Sequence, residues 1–481
     1  MLRVRDAHAP RLLILSASYG AGHDQVAHAV RDAVLRLCPA ADVPVWDFFA
    51  AFVSPWLNRA VQRLYLTSIK HWPQGYGLFY RLTGDIRPDS PFQRWLNSLG
   101  ADRLLGAVTR YRPDAILCTF PTPAGVLSEW KGRGRVRVPL YTVITDHTVH
   151  SQWIHPHVDV YFVSSPEVAR GVSGRGVDPA RVIVTGIPIR GGFREIPDPQ
   201  RAREALGLDP RLPVVLVMAG AFGALGGVPQ IVATLMRVPR PLQAVVVAGR
   251  DRALAARLEA LVRQSPVPMR VFGYREDVPV LMGAADLLIT KAGGVTTSEA
   301  LAAGLPMIIY RPIPGQEEAN TAYLVAHGAA LRARNAEELG TAVADLLARP
   351  ERRAAMARAA WALARADAAE RVARVILAGL AGGTGEPSAG DRADGRGGGE
   401  ARSGTGAPGP GHGSRRRPGR GGPAVGSAAR EERAPAPDGP SHEGRTGVAP
   451  GSAGEQGAAL AEGREWVGRP GQTVALRGDG A

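Results

Sequence analysis

Cysteine is scarce in this chain, whose 481 residues contain only Cys38 and Cys118. Two isolated thiols supply no disulfide framework and no metal-ligand spacing, so a reducing, cytoplasmic environment is the simple inference. Long apolar runs are also missing, since none approaches the roughly 20 residues that span a bilayer. The N-terminus is basic and then apolar, but its apolar run is too short for a signal peptide. These absences argue against a disulfide-rich secreted domain and against membrane-spanning helices.

Lysine is almost absent as well, and it occurs only at Lys70, Lys131 and Lys291. The formal net charge is +14, while the glycine- and proline-rich stretch 381–481 holds thirteen arginines and twelve acidic residues. The positive charge therefore belongs to residues 1–380, which predicts an anionic partner such as a phosphate ligand, nucleic acid or a membrane surface. The stretch 381–481 cannot bury enough apolar surface to offset chain entropy, so we predict a disordered tail without a catalytic role.

Strands and helices alternate along the rest of the chain, which predicts βαβ units and parallel sheets. The predicted strands are Arg11–Ala17, Ala115–Thr119, Leu140–Thr145, Val160–Ser164 and Val182–Val184, then Val214–Met218, Ala244–Ala248, Val271–Gly273, Leu287–Thr290 and Met307–Tyr310. A glycine- and proline-rich stretch from Gly186 to Pro199 separates the two series. We therefore predict an α/β fold with two Rossmann-like domains, 1–190 and 191–380, that face a central cleft. Ligands of such sheets bind beyond the carboxyl ends of the strands.

The stretch 286–320 combines a strand, a glycine turn and two helix starts. Gly293 and Gly294 follow the strand, and the free N–H groups of the helix that they open suit an anion such as a diphosphate. Glu299 lies one turn into that helix, at a reach suited to sugar hydroxyls. Three polar residues crowd the next helix start: Gln316, Glu317 and Asn320. Together these groups predict a phosphorylated, polyhydroxylated ligand.

Lys291 stands beside the same turn, where a phosphate contact and chance placement on a solvated edge both explain it. The chain has no D-x-D tripeptide, the acidic motif that commonly holds a divalent metal on a nucleotide diphosphate. We therefore predict no metal held by the protein and no cofactor. Helix dipoles and cations such as Arg190 would neutralise the diphosphate instead.

Two other loops carry acid–base candidates. In SYGAGH (18–23), His23 begins a helix, where it is either a general base or a capping or packing histidine. In TDHTVHSQWIHPHVD (145–159), Asp146 follows the end of a strand and points toward the predicted cleft. The histidines of this loop fit no standard zinc spacing, so we predict a polar loop in the cleft rather than a metal site.

Aromatic residues are concentrated between Trp46 and Trp95, which hold twelve of the twenty-eight in the chain, interleaved with basic residues. Such a mixture matches the physics of a membrane interface. An aromatic core and base stacking on nucleic acid are the alternatives. We predict that this segment contacts a membrane through side chains that include Trp56, Trp72, Tyr76, Phe79 and Tyr80. We predict no nucleic-acid partner.

Several separate motifs carry a resemblance to a known family. They are SYGAGHDQVAHAV, TFPTPAGVL, VITDHTVHSQWIHPHVDVYFV, TGIPIR, VMAGAFG, ITKAGGVTTSEALAAGLPMIIYRPIPGQEEANTAYL and HGAA. In this order they resemble the processive diacylglycerol glucosyltransferases of bacteria and the monogalactosyldiacylglycerol synthases of plastids. MurG-type transferases are more distant relatives with the same two-domain GT-B fold. The resemblance covers about Leu12 to Arg374 and leaves out the tail.

The resemblance implies transfer of a hexose from UDP-glucose or UDP-galactose to diacylglycerol, with inversion to a β-glycoside. It implies a peripheral enzyme on the inner face of the cell membrane, bound to an anionic lipid surface. On the acceptor side, Gly20, Gly22 and His23 match the glycine-rich loop of the family, which faces the acceptor. His23 thereby becomes the leading candidate for the base, and Asp146 orients or replaces it.

On the donor side, the resemblance assigns groups of residues to successive parts of the UDP-hexose. Gly293, Gly294 and Val295 would bind the diphosphate, and Glu299 would bind the ribose. The residues assigned to the hexose are Gln316, Glu317 and Asn320, and those assigned to the nucleotide side are Arg190, Gly220 and Phe222.

Other classes of protein share parts of this pattern. A UDP-sugar epimerase has the same two-domain architecture but needs no lipid and no aromatic membrane segment. A MurG-like transferase would act on another lipid acceptor, and a membrane-docked sensor would bind UDP-hexose without turnover. A nicotinamide oxidoreductase is the weakest alternative, because no acidic residue placed for a ribose follows SYGAGH convincingly.

Overall fold

The computed structural model describes residues 9–18, 21–54, 56, 100–223 and 225–382. The predicted tail, 381–481, lies outside these residues apart from its first two. Gly20, Trp72, Tyr76, Phe79 and Tyr80 lie outside them as well, so the roles assigned to them stay predictions.

The first sheet is built from short apolar strands, several of them fully buried. Its described strands are β1 Leu12–Ser16, β2 Val45–Asp47, β3 Ala115–Cys118, β4 Leu140–Val143, β5 Val160–Val163 and β6 Val182–Val184. They pair in parallel in the order β2-β1-β3-β4-β5-β6. The helices of this part are α1 Ala21–Leu37, α2 Phe48–Phe52, α3 Ala101–Tyr111, α4 Pro121–Gly132 and α5 Pro166–Ser173. Because parallel strands need crossover connections, helices cover both faces of the sheet.

The second sheet repeats this plan. Its described strands are β7 Val214–Met218, β8 Gln243–Val247, β9 Met269–Phe272, β10 Leu287–Thr290, β11 Met307–Tyr310 and β12 Ala330–Ala333, in the order β12-β11-β10-β7-β8-β9 and again all parallel. Its helices are α6 Pro199–Ala205, α7 Val228–Leu235, α8 Arg252–Val262, α9 Val278–Ala284, α10 Gly294–Ala302, α11 Gln316–Ala326, α12 Ala336–Ala348, α13 Pro350–Leu363 and α14 Ala368–Gly382. Short 3₁₀ turns are Ser151–Trp153, Pro179–Arg181 and Gly191–Arg194. Both sheets lie in one compact unit.

The predicted α/β fold with two Rossmann-like sheets is confirmed. Every predicted strand is present within a residue or two, whereas β2 and β12 have no counterpart in the prediction. Both are edge strands with partly exposed residues, so they lack the continuous apolar run that reveals a buried parallel strand.

The start of the aromatic segment belongs to the protein core. Phe48, Phe49 and Phe52 are buried in one apolar cluster with Trp130, and Trp46 packs against that cluster. Trp56 is 68% exposed. For these first aromatic residues the alternative of an aromatic core is therefore correct, and membrane contact stays a prediction from Trp56 onward. Among the described residues, no helix is long and apolar enough to cross a bilayer.

Helix α14 returns from the second sheet to the first. Its residues Val372, Ala373 and Ile376 lie in one apolar cluster with Val26 and Val30 of α1. The domain prediction placed this helix with residues 191–380, whereas its packing partner is α1. The boundary at residue 190 stays a prediction.

Candidate active site

The predicted catalytic and donor-binding residues that the structure describes gather where the carboxyl ends of the two sheets meet. In the first sheet, β1 leads into α1 and β4 leads into Asp146. In the second sheet, β10 leads into the glycine turn 291–294, and α11 begins a few residues after β11. The chain leaves in opposite directions from β1 and β3, and likewise from β7 and β10, so each sheet has its topological switch point at this edge. We call this region the inter-sheet site.

His23 lies half-buried in the first turn of α1. Its Nδ1 is 2.7 Å from the Thr119 carbonyl oxygen, which only accepts hydrogen bonds, so Nδ1 carries the proton. In the neutral ring the lone pair is therefore on Nε2. Phe120 packs edge-on against the imidazole, with 4.9 Å between the ring centroids. Burial lowers the pKa of His23, although Asp146 and the Thr119 bond raise it, so the ring is neutral near pH 7.

Asp146 belongs to the first sheet, yet its side chain is held by the second. Its Oδ1 accepts hydrogen bonds from Gln316 Nε2 at 2.8 Å and from Asn320 Nδ2 at 3.1 Å. The side chain is buried, and burial raises its pKa, while the two amide bonds and the nearby His23 lower it. Its backbone oxygen accepts from Ser164 Oγ at 3.0 Å. The carboxylate is thus fixed by two amides of α11, while Ser164 holds the backbone of the same residue.

Asn320 is fully buried and joins the loop after β4 to the turn after β10. Its Oδ1 accepts from the His147 amide at 2.9 Å, and its Nδ2 donates to Asp146 and to the Ala292 carbonyl, the latter at 2.9 Å. Both N–H groups of the amide are therefore used within the protein. The sequence assigned this residue to the hexose, whereas its side chain in this structure connects the two sheets.

The glycine turn after β10 presses against the first sheet. A Cβ on Gly294 would lie 2.0 Å from the Thr145 carbonyl oxygen, so only glycine permits this approach. Val295 is buried in the apolar cluster of the first sheet, with Cγ2 3.5 Å from the position of a Cβ on Gly22. The Gly293 amide already donates to the Lys291 carbonyl at 2.9 Å, so the N–H groups predicted to bind a diphosphate are those that open α10. The side chain of Val295 serves packing.

Glu299 and Arg190 form an ion pair in the second turn of α10. Arg190 NH1 lies 2.8 Å from Glu299 Oε1, and the carboxylate is 2% exposed. Burial raises the pKa of Glu299 to about 7, against the opposing effect of Arg190. The structure thus brings together two residues that the sequence assigned separately to ribose and nucleotide.

Lys291 and Glu317 form a second pair inside the site. Lys291 Nζ lies 2.5 Å from Glu317 Oε1, and Oε2 accepts from the Ile313 amide at 3.0 Å. Gly220, in the left-handed region with φ +78°, would bring a Cβ to 3.4 Å from Lys291 Cε. Lys291 therefore lies between the glycine turns after β7 and β10, and its role as a phosphate contact stays a prediction.

Sequence reasoning missed a cation near Phe222. The Arg250 guanidinium carbon lies 5.9 Å from the Phe222 ring centroid and 4.4 Å from that of Tyr274. Gln25 of α1 donates to the Tyr274 hydroxyl at 3.4 Å, which adds another contact between the sheets. An arginine that follows β8 carries no motif, so only the fold reveals its position.

The histidine side chains of the loop 145–159 lie apart from one another. His147 stacks on Tyr323 with centroids 4.9 Å apart, and His155 is buried elsewhere. Burial lowers the pKa of each to about 4. Within the described part of the chain, no three metal-ligating side chains come together.

Solved structures of other proteins share this two-sheet arrangement. MurG of Acinetobacter baumannii has a TM-score of 0.50 at 15% identity and covers 77% of this chain and 99% of its own. S. aureus MnaA, solved with UDP, has a TM-score of 0.52 at 13% identity, with 77% and 97% covered. A Listeria monocytogenes protein assigned as a UDP-N-acetylglucosamine 2-epimerase reaches 0.54 at 17%, with 79% and 99% covered. The fold is therefore of the GT-B class.

Sequence comparison narrows this class to one family. Residues 23–189 match the model of monogalactosyldiacylglycerol (MGDG) synthase, and residues 214–372 match the glycosyltransferase family 28 C-terminal domain. A processive diacylglycerol beta-glucosyltransferase of Bacillus cereus (strain AH820) is 35% identical over 369 residues, which are 77% of this chain and 94% of the relative. Its counterpart in strain ATCC 14579 is 37% identical over 330 residues, with 69% and 84% covered. The chain belongs to the family of processive diacylglycerol beta-glucosyltransferases, as the sequence motifs predicted.

Gly294→Ala tests the contact between the glycine turn and the first sheet. Because the new Cβ would overlap the Thr145 carbonyl, we expect a loss of unfolding free energy near the upper end of about 1–3 kcal/mol. Gly293→Ala is the control, since its Cβ would lie 3.7 Å from Lys291 Nζ at an ordinary φ of −75°, and about 1 kcal/mol or less is expected. Denaturant titration measures both. Equal losses would contradict the close approach.

Glu299→Gln tests the burial of that carboxyl group through the pH dependence of stability. A folded-state pKa of about 7, above the ordinary 4.5, means that ionisation destabilises the fold. Wild-type stability should therefore fall as the pH rises from about 4.5 to about 7, and the variant should lack this fall. The melting temperature of the variant minus that of the wild type is expected to increase across this window. The exposed Glu337→Gln serves as control, and a flat difference for Glu299→Gln would refute the assignment.

Proposed function

We propose that the protein transfers a hexose from a UDP-sugar to diacylglycerol, with inversion, and forms a β-glycosyldiacylglycerol. The observation that carries this proposal is the placement of His23 and Asp146 opposite the glycine turn and the start of α10. An acid–base pair from the first sheet thereby faces an anion-binding turn from the second. Membership of the diacylglycerol glucosyltransferase family supports the same acceptor.

The leaving group is a nucleoside diphosphate, whose developing charge needs stabilisation. The first N–H groups of α10 lack intrahelical partners, and the positive end of the helix dipole lies there. Lys291 adds a cation beside this turn. Such preorganised groups act on charge that grows during the reaction, which is often the largest catalytic contribution.

The acceptor hydroxyl must lose a proton as it attacks the sugar. We assign this step to His23 Nε2, because Nδ1 is committed to the Thr119 carbonyl and the ring is neutral near pH 7. The proton moves from the lipid hydroxyl to Nε2 while the hydroxyl oxygen bonds to the anomeric carbon and the bond to the diphosphate breaks. An ionised Asp146 stabilises the imidazolium that forms.

Two further features support the sugar donor and the location in this proposal. The names of the two Bacillus cereus relatives favour UDP-glucose over UDP-galactose. The basic charge of residues 1–380 and the aromatic segment that includes Trp56 favour peripheral binding to anionic lipid on the inner face of the membrane. No protein-held metal or cofactor is part of this proposal.

The direct test is release of UDP by the purified protein in anionic liposomes with and without diacylglycerol, with UDP-glucose or UDP-galactose supplied in turn. We expect release that depends on diacylglycerol and is faster with UDP-glucose. Release without diacylglycerol would indicate an epimerase or a hydrolase. An absence of release with either donor would contradict the proposal and favour another acceptor or a sensor.

His23→Gln tests the base. General base catalysis typically contributes about 10²–10⁴-fold, so kcat should fall by about a hundredfold or more while the Kd for UDP changes little. His28→Gln is the control, because His28 lies on the exposed face of the same helix. Calorimetry with UDP and the release assay measure the two quantities. A variant with normal kcat would remove His23 as the base.

A further inference from the structure

We propose that Asn320 is a positioning residue that holds the Asp146 carboxylate in place beside His23, so that the acid–base pair of the first sheet is completed by the second sheet. The inference rests on the proposed function and deepens it. It differs from the sequence assignment, in which Asn320 contacts the donor hexose.

The hydrogen bonds of Asn320 fix the orientation of its amide. The His147 amide is only a donor and therefore requires the oxygen of Asn320, at 2.9 Å. The Ala292 carbonyl is only an acceptor and requires the nitrogen, also at 2.9 Å. The second N–H is thereby directed at Asp146 Oδ1, at 3.1 Å. A flipped amide would break all three bonds.

Burial makes this bond consequential. Asn320 is fully buried and Asp146 is 6% exposed, so water does not readily replace a lost donor. The titratable groups near Asp146 are His23 from α1, whose protonated form favours ionisation of Asp146, and Glu317 from α11, which opposes it. Glu317 is itself paired with Lys291. Burial is the main cause that raises the pKa of Asp146, and the hydrogen bonds from Asn320 and Gln316 oppose it by stabilising the ionised form.

The two amides are placed for different tasks. Gln316 is partly exposed at the start of α11, and a bound hexose could compete for its Nε2. Asn320 lies one turn further in and has both N–H groups occupied by protein acceptors. When a bound UDP-sugar takes the hydrogen bond of Gln316, Asn320 still donates a hydrogen bond to Asp146 Oδ1. Binding of the UDP-sugar would then leave the acid–base pair intact.

The test is the pH profile of kcat in Asn320→Leu, which keeps a similar side-chain shape and removes the three hydrogen bonds. A hydrogen bond to the ionised Asp146 is lost, so the pKa of Asp146 should rise by about one to two units. The acidic limb that reports ionisation of Asp146 should therefore move to higher pH by the same amount. The KM for the UDP-sugar should stay within about threefold. Asn320→Ala, measured alongside, should move the limb in the same direction even if the leucine variant folds poorly.

The control is Thr321→Val on the same helix. Thr321 is equally buried and donates to the Glu317 carbonyl at 2.6 Å, but it has no bond to Asp146. The acidic limb of the pH profile of Thr321→Val should stay at the wild-type pH. A raised KM with an unmoved limb in the Asn320 variants would overturn the proposal in favour of a sugar contact. A uniform fall in kcat at every pH would overturn it in favour of a purely structural role.

A second readout does not depend on turnover. Because an ionised Asp146 raises the pKa of His23, loss of the Asn320 bond should lower the pKa of the His23 ring in an NMR titration of labelled histidine. The His23→Gln variant assigns the signal. If diacylglycerol-dependent UDP release fails in the wild type, the proposed function fails, while this titration still decides the role of Asn320. An unchanged His23 pKa in both Asn320 variants would refute the positioning role.

Discussion

The close approach of two backbones, at Gly294 and Thr145, is the constraint on which the rest of the site depends. The approach leaves no room for a Cβ on residue 294. It brings the start of α10 against the end of β4 and places Val295 in the core of the first sheet. With these loops in contact, α11 lies close enough for Gln316 and Asn320 to bond to Asp146.

The electrostatics of the site follow from this contact. Three buried carboxylates lie there, and each has its partner on another element: Asp146 with the amides of α11, Glu299 with Arg190, and Glu317 with Lys291. A buried carboxylate without such partners would lose its charge at neutral pH. The charge state of Asp146 therefore depends on both sheets, whereas Glu317 has its partner Lys291 within the second sheet.

The sequence predicted the fold well because buried parallel strands and glycine turns have strong local signals. β1 and β10 are largely apolar runs, and the residues that follow β1, β4 and β10 include the predicted ones. Edge strand β12 was missed because the sequence ALRA lacks such a run. The sequence predicted which residues form the site, but it did not predict which role each of them has. A spacing pattern shows that Asn320 lies near the strand ends, yet it does not show that Ala292 and His147 occupy its amide.

The contact between the sheets is tested most directly by hydrogen–deuterium exchange at the His147 amide, resolved to single residues. This N–H lies outside any strand or helix ladder, and its bond goes to Asn320 Oδ1 on the other sheet. If the sheets stay in contact without substrate, the amide should exchange as slowly as those of strand β4. Exchange as fast as that of an exposed loop would show that the contact is broken in solution and would contradict a site completed by both sheets.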